Sequence, residues 1–317
     1  MNKIIYLCSV KIQNKLFNSK TSNVMSTLNQ QINNIFETST SMAAITRSLR
    51  ALGIEQREIN NLFFQFGITK QNSIENITFG VEIECYNVER EEIAQRLREA
   101  GVACYVEGYN HRDHRDHFKV VTDASLTGLN TAEVVSPILK GKKGMQTLET
   151  VCKVLNEINA KVNKSCGLHV HFGLDKVDFK TYQNIFYNYA KIESVIDSFM
   201  PRSRRDNNYC KGFRNFGNNI YELISAATTK DEIANIFCND RYYKVNPVAY
   251  ARHNTIEFRQ HSGTTDFEKM SNWIEFLKAL IEFSKKHRLA GANDINDLPF
   301  INSQRKSFFN ARKAALA

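Results

Sequence analysis

Three short segments place charged groups at alternate positions of runs that otherwise favour β-structure: Phe79-Gly-Val-Glu-Ile-Glu84, Cys166-Gly-Leu-His-Val-His171 and Thr255-Ile-Glu-Phe-Arg-Gln-His261. In a strand, residues two apart point to the same side. Val81 and Ile83 therefore oppose Glu82 and Glu84, and Leu168 and Val170 oppose His169 and His171. Ile256 and Phe258 oppose Glu257 and Arg259 in the same way. A fold built from these strands must bury one face and give the other to carboxylates, imidazoles and a guanidinium. Such groups avoid burial unless paired or bound to metal, so the charged face reads as the floor of an active site.

The surrounding pattern supplies helices to cover the apolar face. Helical spacing is expected over 89–100, 145–162, 179–200, 220–227, 231–237 and 267–286, with strands near 103–107, 118–122, 132–136 and 252–259. Residues 118–122 and 132–136 read as a strand pair joined through Asp123-Ala-Ser125 and Gly128. Strands separated by helices, with hairpin-like pairs among them, indicate an α+β fold with a largely antiparallel sheet. Upstream, residues 18–42 form a polar stretch, and Ile45, Leu49, Leu52, Ile59, Leu62, Phe63 and Phe66 recur at helical spacing around Gly53. The expected organisation is a helical N-terminal extension (1–75), a catalytic domain (76–290) and a basic C-terminal tail (291–317).

A chain of 317 residues, 42% hydrophobic, can fill a substantial core. No run of 18 or more apolar residues occurs, so no membrane span is expected. The mildly apolar start breaks at Lys11 and Asn14, too early for a signal peptide. Seven scattered cysteines without CxxC pairs suit reduced thiols in a cytoplasmic protein. The net charge of +9 lies mostly at the ends: +4 in residues 1–75, +3 in 288–317 and only +2 between them. Basicity therefore says little about the central face.

In order along the chain, Phe79–Glu84, Asp123-Ala-Ser125, Glu133-Val-Val-Ser-Pro137, Gly167–His171, Asn246 and Thr255–Gly263 resemble the amidoligases. Those belong to the glutamine synthetase and γ-glutamylcysteine synthetase superfamily of carboxylate–amine ligases. The resemblance covers about 78–285. It implies a curved, largely antiparallel sheet with helices on its convex face, like the glutamine synthetase catalytic domain. It also implies ATP and Mg²⁺ or Mn²⁺ as cofactors, and small-molecule or peptide carboxylates and amines as substrates. Carried over by position, Glu82, His169 and Glu257 share one metal, and Glu84 and Glu133 hold another. His171 approaches the nucleotide phosphates and Arg259 the transferring phosphoryl group, so Arg259, Glu257 and Glu82 are the expected catalytic residues. Carboxylate oxygens suit hard Mg²⁺, and arginine supplies a fixed bidentate donor for developing phosphoryl charge.

Other segments have weaker claims. Asp123, Ser125, Asn246 and His261 either contact ligands or serve the fold, and Ser125 and Asn246 are expected to contact the cofactor. The basic stretch Pro201-Arg-Ser-Arg-Arg205, followed by Tyr209-Cys210 and Arg214, is a solvated turn or a binder of phosphates or substrate carboxylate through Arg205 and Arg214. Cys210 has no base placed beside it and is not expected to be a nucleophile. His111-Arg-Asp-His-Arg-Asp-His117 reads as a loop, and Gly141-Lys-Lys-Gly144 lacks P-loop spacing and reads as a turn. Two other readings use the same residues: nucleic-acid binding through the helical N-terminus and basic ends, and a metal-dependent hydrolase on the same ligands.

Overall fold

The computed structural model describes residues 21–38, 42–55, 58–59, 62, 77–108, 116–175 and 177–317. The chain divides into two compact units, 1–69 and 70–317. In the first, helices α1 (Thr21–Thr38) and α2 (Met42–Ala51) are followed by a turn in which Gly53 takes a φ of 77°. Ile45, Leu49, Ile59 and Leu62 are its buried cluster, flanked by Ile32, Ile35, Phe36 and Ile54. Phe63 and Phe66 lie outside the described residues.

The second unit is built on an open sheet. Its strands are β1 (Thr78–Cys85), β2 (Cys104–Val106), β3 (Phe118–Val121), β4 (Ala132–Val135), β5 (Leu139–Lys140), β6 (Gly167–Gly173), β7 (Val245–Asn246) and β8 (Thr255–Ser262). They lie in the order β2-β3-β4-β1-β6-β8-β7, with β5 paired to β1. Every pairing is antiparallel except β2 with β3. Registers bring the three charged segments side by side: Glu82 faces His169, Glu84 faces Glu133, and His171 faces Glu257.

Helices α3 (Arg90–Glu99), α4 (Gly141–Glu157), α9 (Phe267–Ser284) and α5 (Phe179–Ser198) touch one another in that spatial order. They cover the apolar strand face. Val81, Ile83, Leu168, Val170, Ile256 and Phe258 are at most 1% exposed. The Tyr189 ring of α5 packs 5.7 Å from that of Phe258, and Lys278 of α9 lies 4.9 Å from the Phe79 ring. Burying a large apolar side chain contributes roughly 1.5–3 kcal/mol, so the alternating strands commit this face to the core. Short helices α6 (Asn219–Ala226), α7 (Lys230–Ile236) and α8 (Ala249–His253) lie between α5 and β8.

Three local expectations are corrected. Gly141-Lys-Lys-Gly144 is the first turn of α4 rather than a separate turn. Gly144 serves close packing there, since an added Cβ would lie 2.9 Å from Leu139 Cβ. The last charged strand begins at Thr255, because Asn254 at φ 50° ends α8 just before it. Residues 291–317 are not an unpacked tail: α10 (Ser303–Ala315) is anchored by fully buried Phe309, 4.5 Å from the Phe199 ring and 5.4 Å from that of Phe276. Among the described residues no helix is long and apolar enough to cross a membrane. Six cysteines are described, all free, and five of them are buried.

Candidate active site

Alternation on β1, β6 and β8 puts the charged side chains on the face opposite the helices, where they line a cavity of about 590 Å³. Glu82 lines it between two imidazoles. Its Oε2 lies 2.8 Å from His169 Nδ1 and its Oε1 3.2 Å from His171 Nε2. His169 Nε2 is 3.5 Å from Glu84 Oε1, while His169 Nδ1 is 3.8 Å from Glu257 Oε1. Both oxygens of Glu257 are occupied: Arg259 Nη1 donates to one at 2.5 Å and Asn246 Nδ2 to the other at 2.5 Å. Thr255 Oγ1, 3.0 Å from His171 Nδ1, turns that ring so that Nε2 faces the carboxylates.

The hairpin from β3 to β4 adds a second acidic corner. Asp123 and Glu133 each come within 4.8 Å of Glu84 through a carboxylate oxygen. Gly167 N donates to Glu84 at 2.5 Å. Three overlapping ligand groups result: Glu82, His171 and Glu257; Glu82, Glu133 and His169; and Glu84, Asp123 and Glu133.

These neighbours shift the ionisation of the cluster. Burial alone would raise Glu82, but hydrogen bonds and charge from His169 and His171 hold it well below the usual carboxylate range. Burial likewise opposes Glu257, and Arg259 with the imidazoles keeps it low. Glu133 moves the other way. Burial and then the charges of Glu82, Glu84 and Asp123 push it well above the usual range. Glu84 is also raised, mainly by burial. His171 is raised because Glu257 and Glu82 outweigh its burial. Crowded carboxylates that repel one another's charge, as here, are the environment a cation relieves. His171 Nε2 is buried without a well-directed hydrogen bond. With carboxylate oxygens around it, this donor set fits a divalent cation.

Glu82, Glu133, His169, His171, Glu257, Arg259, Asn246 and Asp123 all line the cavity, with Glu84 joined to them at its edge. Asn246 lines the cavity with its Nδ2 donating to Glu257, and its Oδ1 accepts from Val248 N at 2.9 Å. Ser125 stays in the turn, its N–H held by Asp123 at 2.7 Å. Arg205 and Arg214 are not brought to the cavity. Arg205 Nε donates to Met200 O at 2.9 Å, and Arg214 Nη2 donates to Asp197 Oδ2 at 2.9 Å. His261 leaves the charged face altogether. It pairs across the sheet with Leu168, its ring lies tilted 5.6 Å from that of Trp273, and it is pushed down to about 3 by burial and then by Arg312. Residues 111–115 of the His111–His117 segment lie outside the described residues. His117 itself lines the cavity and bonds Glu107 at 2.9 Å.

Some cavity residues escaped the sequence reading. Lys119, 6% exposed, shares the charged face because β3 pairs it with Val135, two residues from Glu133. Arg241 and Arg252 join the wall from the loop before β7 and from α8. The hairpin register signals Lys119, whereas the two arginines carry no local pattern. Cys210 is buried with its thiol raised by desolvation, which leaves it no thiolate for chemistry.

A family model described as "Putative amidoligase enzyme" matches residues 75–281. The chain belongs to this amidoligase family. No curated protein matches it. Among solved structures it is similar to a bifunctional glutathione synthetase from Pasteurella multocida, at 11% identity and a TM-score of 0.35. That similarity covers 78% of this chain and 41% of the other, so the chain spans about two fifths of that structure.

Proposed function

We propose that the chain is a cytoplasmic ligase that joins a carboxylate to an amine at the expense of ATP, with Mg²⁺ or Mn²⁺, on a glutamine synthetase-like sheet. The observation that carries this reading is the set of three overlapping ligand groups beside Arg259 in one cavity. Glu82, Glu84, Asp123, Glu133, His169, His171 and Glu257 would hold the cations. When bound, these supply Lewis-acid polarisation and charge neutralisation at phosphate oxygens.

The substrate carboxylate attacks the γ-phosphorus of ATP, forming an acyl phosphate and releasing ADP. The amine then attacks the acyl carbon, phosphate departs, and the amine's proton is lost. No covalent protein nucleophile is needed, only positioned charge. Arg259, fixed by Glu257 and raised by that neighbour so that it stays charged, meets the anionic phosphoryl group. Arg241, Arg252 and Lys119 add positive charge to the cavity wall. The arginine beside the carboxylates favours a ligase over a hydrolase on the same ligands. Buried free thiols suit the reducing cytoplasm.

The test is an ADP-release screen over paired carboxylate and amine pools with Mg²⁺. ADP should appear mainly when both partners are present. Metal-dependent turnover without ATP would select the hydrolase instead. A calorimetric titration showing no uptake of Mg–ATP would overturn the proposal.

A further inference from the structure

Arg259 stands at an irregularity in the sheet. β6 and β8 pair Val170 with Phe258 and Leu168 with His261, so Arg259 and Gln260 together oppose the single residue His169. A bulge of this kind disrupts the ladder and re-aims the side chain beside it. The freed carbonyls are met by one guanidinium. Arg204 Nη2 donates to Arg259 O, and Arg204 Nε donates to Gln260 O at 3.4 Å. On the other edge, Arg259 N donates to Lys244 O at 2.8 Å. The backbone of Arg259 is thus gripped from both sides.

Arg204 is itself fixed. It is 3% exposed and ends the short 3₁₀ turn Arg202–Arg204, where Cys210 Sγ lies 3.6 Å from its carbonyl. It also reaches beneath Gly167. A Cβ there would lie 2.9 Å from Arg204 Nη2 and 3.0 Å from His169 Nε2.

We infer that Arg204 is a positioning residue, which holds the bulge so that the Arg259 guanidinium lies across Glu257 and into the cavity. The inference rests on the ligase reading for its rate predictions, but its geometry does not. A planar fork can bridge two neighbouring carbonyls, which a lysine ammonium serves less well.

Arg204→Met, Arg204→Lys, Arg259→Ala and the double variant Arg204→Met with Arg259→Ala test it. Arg204→Met should lower kcat for ADP release ~10- to ~100-fold, the scale of displacing a catalytic group by about 1 Å. Mg–ATP affinity by calorimetry should stay within about threefold, since the lost interaction belongs to the transition state. Arg204→Lys should recover part of the rate. Once Arg259 is gone, removing Arg204 should cost nothing more. Arg312→Met is the control. Arg312 also donates to buried structure, to the Phe199 carbonyl at 2.8 Å and the Ser262 hydroxyl at 3.3 Å, and its variant should lose stability without losing kcat. Multiplicative losses in the double variant, or equal kcat losses in the Arg204→Met and Arg312→Met variants, would overturn the assignment. If the wild type releases no ADP from any pair, the ligase reading falls instead. A crystal structure of Arg204→Met, or of Arg204→Lys if the former does not fold, then decides: an intact Arg259–Glu257 pair refutes the positioning, and a broken one supports it.

Discussion

Lys244 is the most informative residue to remove on stability grounds. Its side chain is 0% exposed, and Nζ lies 2.7 Å from Glu193 Oε1 and 2.7 Å from Asp197 Oδ1. Lys244→Met leaves two buried carboxylates without their shared cation. Glu193 would keep the Phe213 N–H at 2.9 Å, and Asp197 would keep Gln260 and Arg214. Removing one partner from a buried pair costs about 3–5 kcal/mol, or roughly 6–20 °C in Tm for a unit of this size. Asp197 is already held above the ordinary aspartate range by burial, with Lys244 as the main opposing influence. A carboxyl with its folded pKa above the unfolded value favours the fold at low pH, and that contribution is lost as pH rises through the folded pKa. Losing the lysine raises it further, so the variant's deficit should be smaller at the lower of two assay pH values than at the higher. Trp273, the only tryptophan and fully buried, reports unfolding of unit 70–317 by fluorescence in a urea titration. A deficit below ~1 kcal/mol at the higher pH, or one independent of pH, would refute the ion-pair reasoning.

Three further outcomes are expected. Glu82→Gln and Glu257→Gln should each lower ADP release by ~10²–10³, as loss of a preorganised charge does; near-normal rates would remove this face from the chemistry. His261, pulled from 6.5 to about 3 by burial and Arg312, must charge on unfolding. Its folded value lies below the unfolded one, so stability falls as pH drops through about 6.5, by about 2 kcal/mol between pH 7 and pH 5. His261→Leu should flatten that part of the urea midpoint profile, and an unchanged slope would count against the burial argument. Phe309→Ala should cost ~3–5 kcal/mol by the same fluorescence assay, whereas a dispensable tail would show no change.

The charged face was legible because strand alternation has a period of two and needs no tertiary information. Glu82, His169, His171, Glu257 and Arg259 followed from it directly. The same rule failed one step later: a single extra residue at Arg259 and Gln260 changed the phase, which sent His261 to the apolar side. Bulges are set by pairing partners and leave little trace in one strand's sequence. The basic stretch read as a solvated turn or as a binder through Arg205 and Arg214, yet Arg204 is the arginine that reaches the site strands, placed there by a 3₁₀ turn. Lys244 and the two-residue strand β7 were invisible because their partners lie on α5 and β8. The helix α10 hid behind its polar composition, with Phe309 as its one buried side chain.

Glu82 spends its two oxygens on two different imidazoles and belongs to two of the three ligand groups. Neither imidazole can be repositioned alone at that residue. Any substitution there is felt twice, once at His169 and once at His171.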